Sequence, residues 1–221
     1  MHLRALIVAM AVLLALATTA SADDISVGGR TLSIMPPEGY CALDRSNPAD
    51  ARVMGTVEKS QADRNQVLMH FVPCTELEDW HAGRIAVYSI YGNVAVQLNN
   101  GTPTATRMSR TDFIDGMQAH MPTLDMKDIE SEVNSKIEGM RLSGSQMLGV
   151  IDKDSNALYV ALAMEVSANG ENLAKSGVTT FTLLGPFVAN TNMATAAMPG
   201  AYDRLLAIQK TYLANLVQQN H

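Results

Sequence analysis

The chain has 221 residues, with 16 Lys and Arg against 22 Asp and Glu, which gives a formal net charge of −6. An acidic chain without a basic cluster suits neither nucleic acid nor an anionic membrane surface, so we expect neither as a partner. The length fits one domain of moderate size. The predicted organisation is a leader over residues 1–22 followed by a single domain over residues 23–221.

Residues 1–22 have the three parts of a secretory signal peptide. Arg4 supplies a positive start, residues 5–17 form an unbroken apolar run, and residues 20–22 read Ala-Ser-Ala, a small-x-small cleavage site. The apolar run is too short for a stable bilayer anchor, so no integral membrane segment is expected after cleavage. The expected product begins at Asp23 and is periplasmic or secreted.

The two cysteines of the chain are Cys41 and Cys74. In an exported protein an even number of cysteines favours a disulfide over free thiols. The spacing matches neither a redox Cys-x-x-Cys pair nor a zinc site. The sequence therefore predicts one structural disulfide, which closes a loop of about 33 residues.

Local patterns predict one helix and several strands in the first half of the chain. Asn47 as a cap, followed by Pro48, predicts that a helix begins at Pro48. His70 lies inside an apolar run and is expected to be a hydrogen-bonded residue of the core or its edge. The expected strands cover residues 31–35, 67–72, 84–91 and 94–98, the last two paired about residues 92–93.

The second half is predicted to contain three helices and an antiparallel meander. Ser109 and Asp112 match a capping box and predict a helix that ends at Pro122. An acidic amphipathic helix is expected over 125–140 and a final helix over 202–219. The expected strands cover residues 146–151, 157–167 and 178–184, and the Ala-, Thr- and Asn-rich stretch 186–199 receives no predicted element. The predicted fold class is α+β, a mostly antiparallel sheet with flanking helices.

The densest polar and aromatic group follows directly after the predicted disulfide. A bridge that tethers this segment lowers the ordering cost of binding, so we take it as the candidate binding site. The alternative is a short surface helix with its tryptophan packed on the sheet. The candidate residues are Glu76, Glu78, Asp79, Trp80 and His81.

Three functional interpretations remain open. The first is a non-enzymatic exported accessory domain that binds an envelope protein or a small ligand. The second is a hydrolase in which acidic residues and His81 meet only after folding, although the common nucleophile, metal and nucleotide-binding motifs are missing. The third is a copper site built from Met117, His120, Met121 and Met126. Because Met117 and Met121 share the apolar stripe of their helix, a core role is favoured, and no cofactor or metal is predicted.

The turn at residues 37–40, Pro-Glu-Gly-Tyr, follows a predicted strand, and the chain closes with a strand and a helix. These two features resemble the PsbP/Mog1-like α/β sandwich proteins, which include small exported bacterial proteins of unknown role. The resemblance implies an antiparallel sheet with flanking helices, and an accessory or binding role more often than catalysis. The cysteine pair and the acidic helix pair in the middle of the chain depart from that pattern.

Overall fold

A computed structural model describes residues 23–121, 126–137, 140–168 and 171–221. The predicted signal peptide lies outside these residues. The helices are α1 Pro48–Gln61, α2 Cys74–His81, α3 Arg110–His120, α4 Met126–Lys136 and α5 Ala201–Gln219. The strands are β1 Asp23–Val27, β2 Arg30–Ile34, β3 Tyr40–Ala42, β4 Asn65–Pro73, β5 Ile90–Asn99, β6 Thr102–Pro103, β7 Met140–Lys153, β8 Leu158–Ala168, β9 Glu171–Leu184 and β10 Phe187–Ala196.

The predicted α+β class is confirmed. The main sheet has the strand order β3-β4-β5-β10-β9-β8-β7, with β6 paired to β5, and all of these neighbours are antiparallel. Strands β1 and β2 form a separate hairpin. This hairpin packs into the core beneath α5 through Val27, Leu32 and Ile34.

Two helix starts are confirmed at their caps. The Asn47 side chain accepts a hydrogen bond of 2.9 Å from the Ala49 amide, and Pro48 is the first residue of α1. Ser109 Oγ accepts from the Asp112 amide at 3.1 Å at the start of α3. These bonds satisfy amide groups that the first turn of a helix leaves without an intrahelical partner.

Helices cover both faces of the main sheet. Phe71 on β4 belongs to the large core beneath α5, whereas its neighbour Val72 belongs to a cluster with Met54 of α1. Adjacent residues of a strand point to opposite faces, so α5 and α1 lie on opposite sides of the sheet. A third cluster, on the same face as α1, places Phe113 and Ile114 of α3 against β8 and β9.

The predicted pair of strands over residues 84–98 is wrong, because one strand, β5, runs straight through Gly92. Gly92 lies opposite Phe71 on β4. A Cβ atom at Gly92 would lie 3.0 Å or less from three carbons of the Phe71 ring. This glycine therefore makes room for a buried ring instead of forming a turn. The stretch without a predicted element contains β10, a central strand between β5 and β9.

The acidic helix is shorter than predicted and protects a sheet edge. Helix α4 ends at Lys136, and Met140 already begins β7, the outermost strand. The Asn134 side chain accepts from the Leu142 amide and donates to its carbonyl, each at 2.7 Å. Glu130 accepts from the Ser145 amide at 3.0 Å. These bonds satisfy backbone groups that an edge strand otherwise leaves open to another chain.

The predicted disulfide is confirmed, and it joins Cys41 of β3 to Cys74, the first residue of α2. We expect the double variant Cys41→Ala, Cys74→Ala to lose about 3 kcal/mol of unfolding free energy, because the unfolded chain is no longer closed into a loop. Urea denaturation measures the loss, and wild-type protein reduced with dithiothreitol serves as the matched control. Two titratable thiols in denatured, unreduced wild-type protein would contradict the expectation.

Candidate functional site

Helix α2 carries all five predicted site residues; its start is fixed to β3, and its end is capped by backbone hydrogen bonds. At its start the disulfide fixes Cys74, whose amide also donates to the Gly39 carbonyl at 3.0 Å. At its end the Ala82 and Gly83 amides donate to the carbonyls of Glu78 and Trp80. The helix is therefore a tethered element whose side chains have defined positions.

The carboxylate that meets His81 is Asp50, which lies in the first turn of α1 and was not among the predicted site residues. The Asp50 side chain is fully buried. Its Oδ1 accepts from His81 Nε2 at 2.9 Å and from Trp80 Nε1 at 3.0 Å, and its Oδ2 accepts from the Asp44 amide at 3.0 Å. Three donors thus satisfy the oxygens of a side chain that has been removed from water.

The predicted acids have other partners. Glu76 accepts from both the amide and the hydroxyl of Ser89, so it holds the loop that follows α2. Asp79 forms an ion pair with Arg84, whose Nε lies 2.7 Å from its Oδ1; both side chains are about half exposed, and such pairs contribute little stability. Glu78 is exposed.

Trp80 is a structural residue in large part. Its ring centroid lies 4.8 Å from that of Tyr88, and both rings belong to the cluster around Val72 beneath α1 and α2. The alternative stated above, a short helix with a packed tryptophan, describes this residue.

Tyr88 is buried, and its hydroxyl has no hydrogen-bond partner in the described part of the chain. Burial, with the nearby charges of Asp50 and Glu76, raises the Tyr88 pKa and keeps this hydroxyl a donor.

Of the predicted site residues, His81 presents a functional group that is accessible to solvent. Its side chain is 32% exposed although Asp50 is not. Because a carboxylate can only accept, Nε2 donates to Asp50, and Nδ1 is left for another partner. In the loop after α2, Val87 is 56% exposed. We call the set Glu78, Asp79, His81, Arg84 and Val87 the α2 surface.

A second polar group lies buried on the same face of the sheet. His70 Nε2 donates to Glu58 Oε1 at 2.9 Å, and its Nδ1 accepts from the Tyr91 hydroxyl. Arg45 holds the outer side of Glu58, with its two terminal nitrogens 2.5 and 3.2 Å from the carboxylate oxygens. The prediction that His70 is a hydrogen-bonded core residue is confirmed, since only 2% of it is exposed.

For both His70 and Glu58, burial and the neighbouring groups shift the side-chain pKa in opposite directions. Burial lowers the pKa of His70 and outweighs the neighbouring Glu58, which acts to raise it. Burial also disfavours the charged form of Glu58, but hydrogen bonds from Arg45 and His70 prevail and lower the Glu58 pKa. The stable arrangement is therefore an ionised Glu58 and a neutral His70.

This arrangement predicts that acid destabilises the fold. Between the lowered His70 pKa and the ordinary value of 6.5, the unfolded chain binds more protons, so the free energy of unfolding should fall as the pH drops below about 6.5. Glu58 acts in the same direction below its ordinary value of 4.5. Urea denaturation between pH 7.5 and about 5 measures the slope. His70→Gln should flatten it and His120→Gln should not; an unchanged slope in His70→Gln would refute this assignment.

The methionine and histidine group of the copper interpretation is spread over two helices. Met121 is 3% exposed and packs with Met117 in the cluster under α3. His120 Nδ1 lies 2.7 Å from the Gly116 carbonyl, and Met126 begins α4. Among the described residues, no group of three or more His, Cys, Asp or Glu side chains is arranged to hold a metal ion.

No helix within the described ranges is both long enough and apolar enough to cross a bilayer. The polar centre of the candidate site is Asp50 with its three donors, and its accessible member is His81. No protein-family model matches this chain, and no curated protein matches it.

Proposed function

We propose that the protein is an exported, non-enzymatic binding domain that holds an envelope protein through the α2 surface. The observation that carries the proposal is the bond from exposed His81 to buried Asp50, on a helix that a disulfide anchors. An imidazole already fixed in one orientation loses little conformational freedom when a partner binds, and its second nitrogen can donate or accept.

The loop that follows α2 supports the same proposal. Val87 offers an apolar contact in a loop that Glu76 anchors at Ser89. Tyr88 of the same loop is buried against Trp80, so the loop is packed onto the helix that carries His81. Apolar contact area beside fixed polar groups is the usual composition of an interaction centre.

Site-specific photocrosslinking in expressing cells tests the proposal. Benzoylphenylalanine at Val87 should give a discrete crosslinked product that disappears when His81→Gln is added. The same probe at Leu148 on β7, which is 53% exposed, should give no such product. His120→Gln is the matched histidine control and should leave the product unchanged.

The His81 variant is preferred to any variant of Trp80. Replacing Trp80 removes a bond to Asp50 and a packed ring, so loss of binding would be confused with loss of folding. His81→Gln keeps a polar side chain at a partly exposed position. A product that persists in His81→Gln, or no product at Val87 at all, would refute the proposal.

The Asp50 and His81 pair also favours one second candidate, a hydrolase. A buried carboxylate that orients an imidazole is the arrangement by which a histidine acts as general base, here with water as the nucleophile. Purified protein should then hydrolyse p-nitrophenyl acetate faster than an equal concentration of free imidazole, and His81→Gln should abolish the excess rate. Equal rates for wild type and variant would exclude this candidate.

A further inference from the structure

A cleft away from α2 brings together two arginines. It is open to solvent, has a volume of about 370 Å³, and is lined by the turn between β1 and β2, the segment after β6 and the turn before β10. Its charged lining residues are Arg30 and Arg107, and no acidic residue lines it. None of the residues of the α2 surface belongs to it.

Neither guanidinium has a partner in the described part of the chain. Arg45, Arg64 and Arg84 form ion pairs with acids, as expected in a protein that carries more acids than bases. The side chains of Arg30 and Arg107 are on exposed residues and form no ion pair or hydrogen bond within the described residues. Two unpaired guanidinium groups in one cleft favour an anionic ligand there, while Asp24 lines the adjoining cleft that shares Arg30.

The backbone around the cleft is fixed. Gly28 has a φ of +53°, and a Cβ there would lie 3.0 Å from two carbons of the Phe187 ring, so the turn between β1 and β2 sits directly on that ring. Within the lining, the Thr106 amide donates to the Pro186 carbonyl at 2.8 Å. The elements that carry the two arginines are thus positioned before any ligand arrives.

We propose that this cleft binds a small molecule that carries a carboxylate or phosphate group next to an apolar part. Planar guanidinium groups match the oxygen geometry of carboxylate and phosphate. Pro186 and Ala105 form the accessible apolar side of the cleft, because Phe187 beneath them is only 4% exposed. A ligand of this class places its charge on Arg30 and Arg107 and its apolar part against that side.

Titrations followed by ¹H–¹⁵N NMR at constant ionic strength test the proposal with three probes. Benzoate carries both features, inorganic phosphate carries the charge alone, and benzyl alcohol carries the ring alone. Benzoate should shift the amide signals of Gly28 and Thr106 and the side-chain Nε signals of both arginines. Phosphate should shift them with weaker affinity, and benzyl alcohol should leave them unchanged at equal concentration.

Arginine variants distinguish benzoate binding in this cleft from non-specific binding elsewhere on the surface. Arg30→Gln and Arg107→Gln should each weaken benzoate binding by about tenfold, as expected for a lost charge-assisted hydrogen bond. Arg52→Gln, an exposed position on α1, is the matched control and should have no effect. Equal affinity in all three variants would overturn the proposal. Equal affinity for benzoate and phosphate would overturn its apolar part.

Discussion

Asp50→Ala should lower the free energy of unfolding by about 4 kcal/mol. The substitution leaves the Trp80 indole N–H and the Asp44 amide without their acceptor in a buried region, and it also releases His81. Each buried donor left without a partner costs about 1–3 kcal/mol, and two such donors together give the expected loss. Urea denaturation at pH 7 measures the effect.

Two comparisons sharpen this expectation. Asp50→Asn keeps one acceptor oxygen and should lose less stability than Asp50→Ala. Asp79→Ala removes an exposed ion pair and should change stability by about 0.5 kcal/mol or less. A loss below about 1 kcal/mol for Asp50→Ala would show that Asp50 does not organise this region, and would remove the main support for a fixed His81.

Gly92→Val should be as damaging, with a loss of about 4 kcal/mol or more, because any side chain at Gly92 enters the space of the Phe71 ring. Overpacking commonly costs about 1–3 kcal/mol, and here the ring is fully buried against Tyr212 with little room to move. Thermal and urea unfolding of Gly92→Ala and Gly92→Val should show a graded loss.

A double-mutant cycle identifies the cause. In a Phe71→Leu background, Gly92→Ala should cost clearly less than in the wild type, because the smaller side chain makes room for the new methyl group. Gly116→Ala is the matched glycine control, since it lies within α3 with nothing near its Cβ position, and it should be neutral or stabilising. Equal costs for Gly92→Ala in both backgrounds would show that the ring is not the obstacle.

The sequence predicted those parts of the fold that depend on contacts between residues close together in the chain. Asn47 and Ser109 cap helices with their own side chains, and the signal is complete within four residues. The disulfide followed from the number of cysteines and the predicted export. Strand β10 was not predicted, because its sequence does not alternate between apolar and polar residues. The partners of its Asn and Thr side chains lie on other strands. Asn192 donates to Asn93 of β5 and accepts from Thr179 of β9.

The candidate site likewise combines residues that are close in sequence with a partner that only folding brings near. The sequence places His81 and Trp80 after the disulfide, but their shared partner Asp50 lies about thirty positions earlier, where it reads as an ordinary acid in the first turn of a helix. The acids that are near in sequence, Glu76 and Asp79, bind elsewhere. Sequence proximity identified the segment, and only the folded chain identifies its partner.

The central position of β10 also has a consequence for the order of folding. Asn93 on β5 pairs with Asn192 on β10, 99 positions later, whereas β8, β9 and β10 are joined by short connections. Closing so long a loop is entropically costly, and non-local strand pairing is slow. The C-terminal meander can therefore form before it pairs with the N-terminal strands. Strands β3, β4 and β5 lack their central neighbour, β10, until the chain has been synthesised through Ala196. A nascent chain that stops before Phe187 exposes the open edges of both β5 and β9, and it is most prone to aggregate at that point.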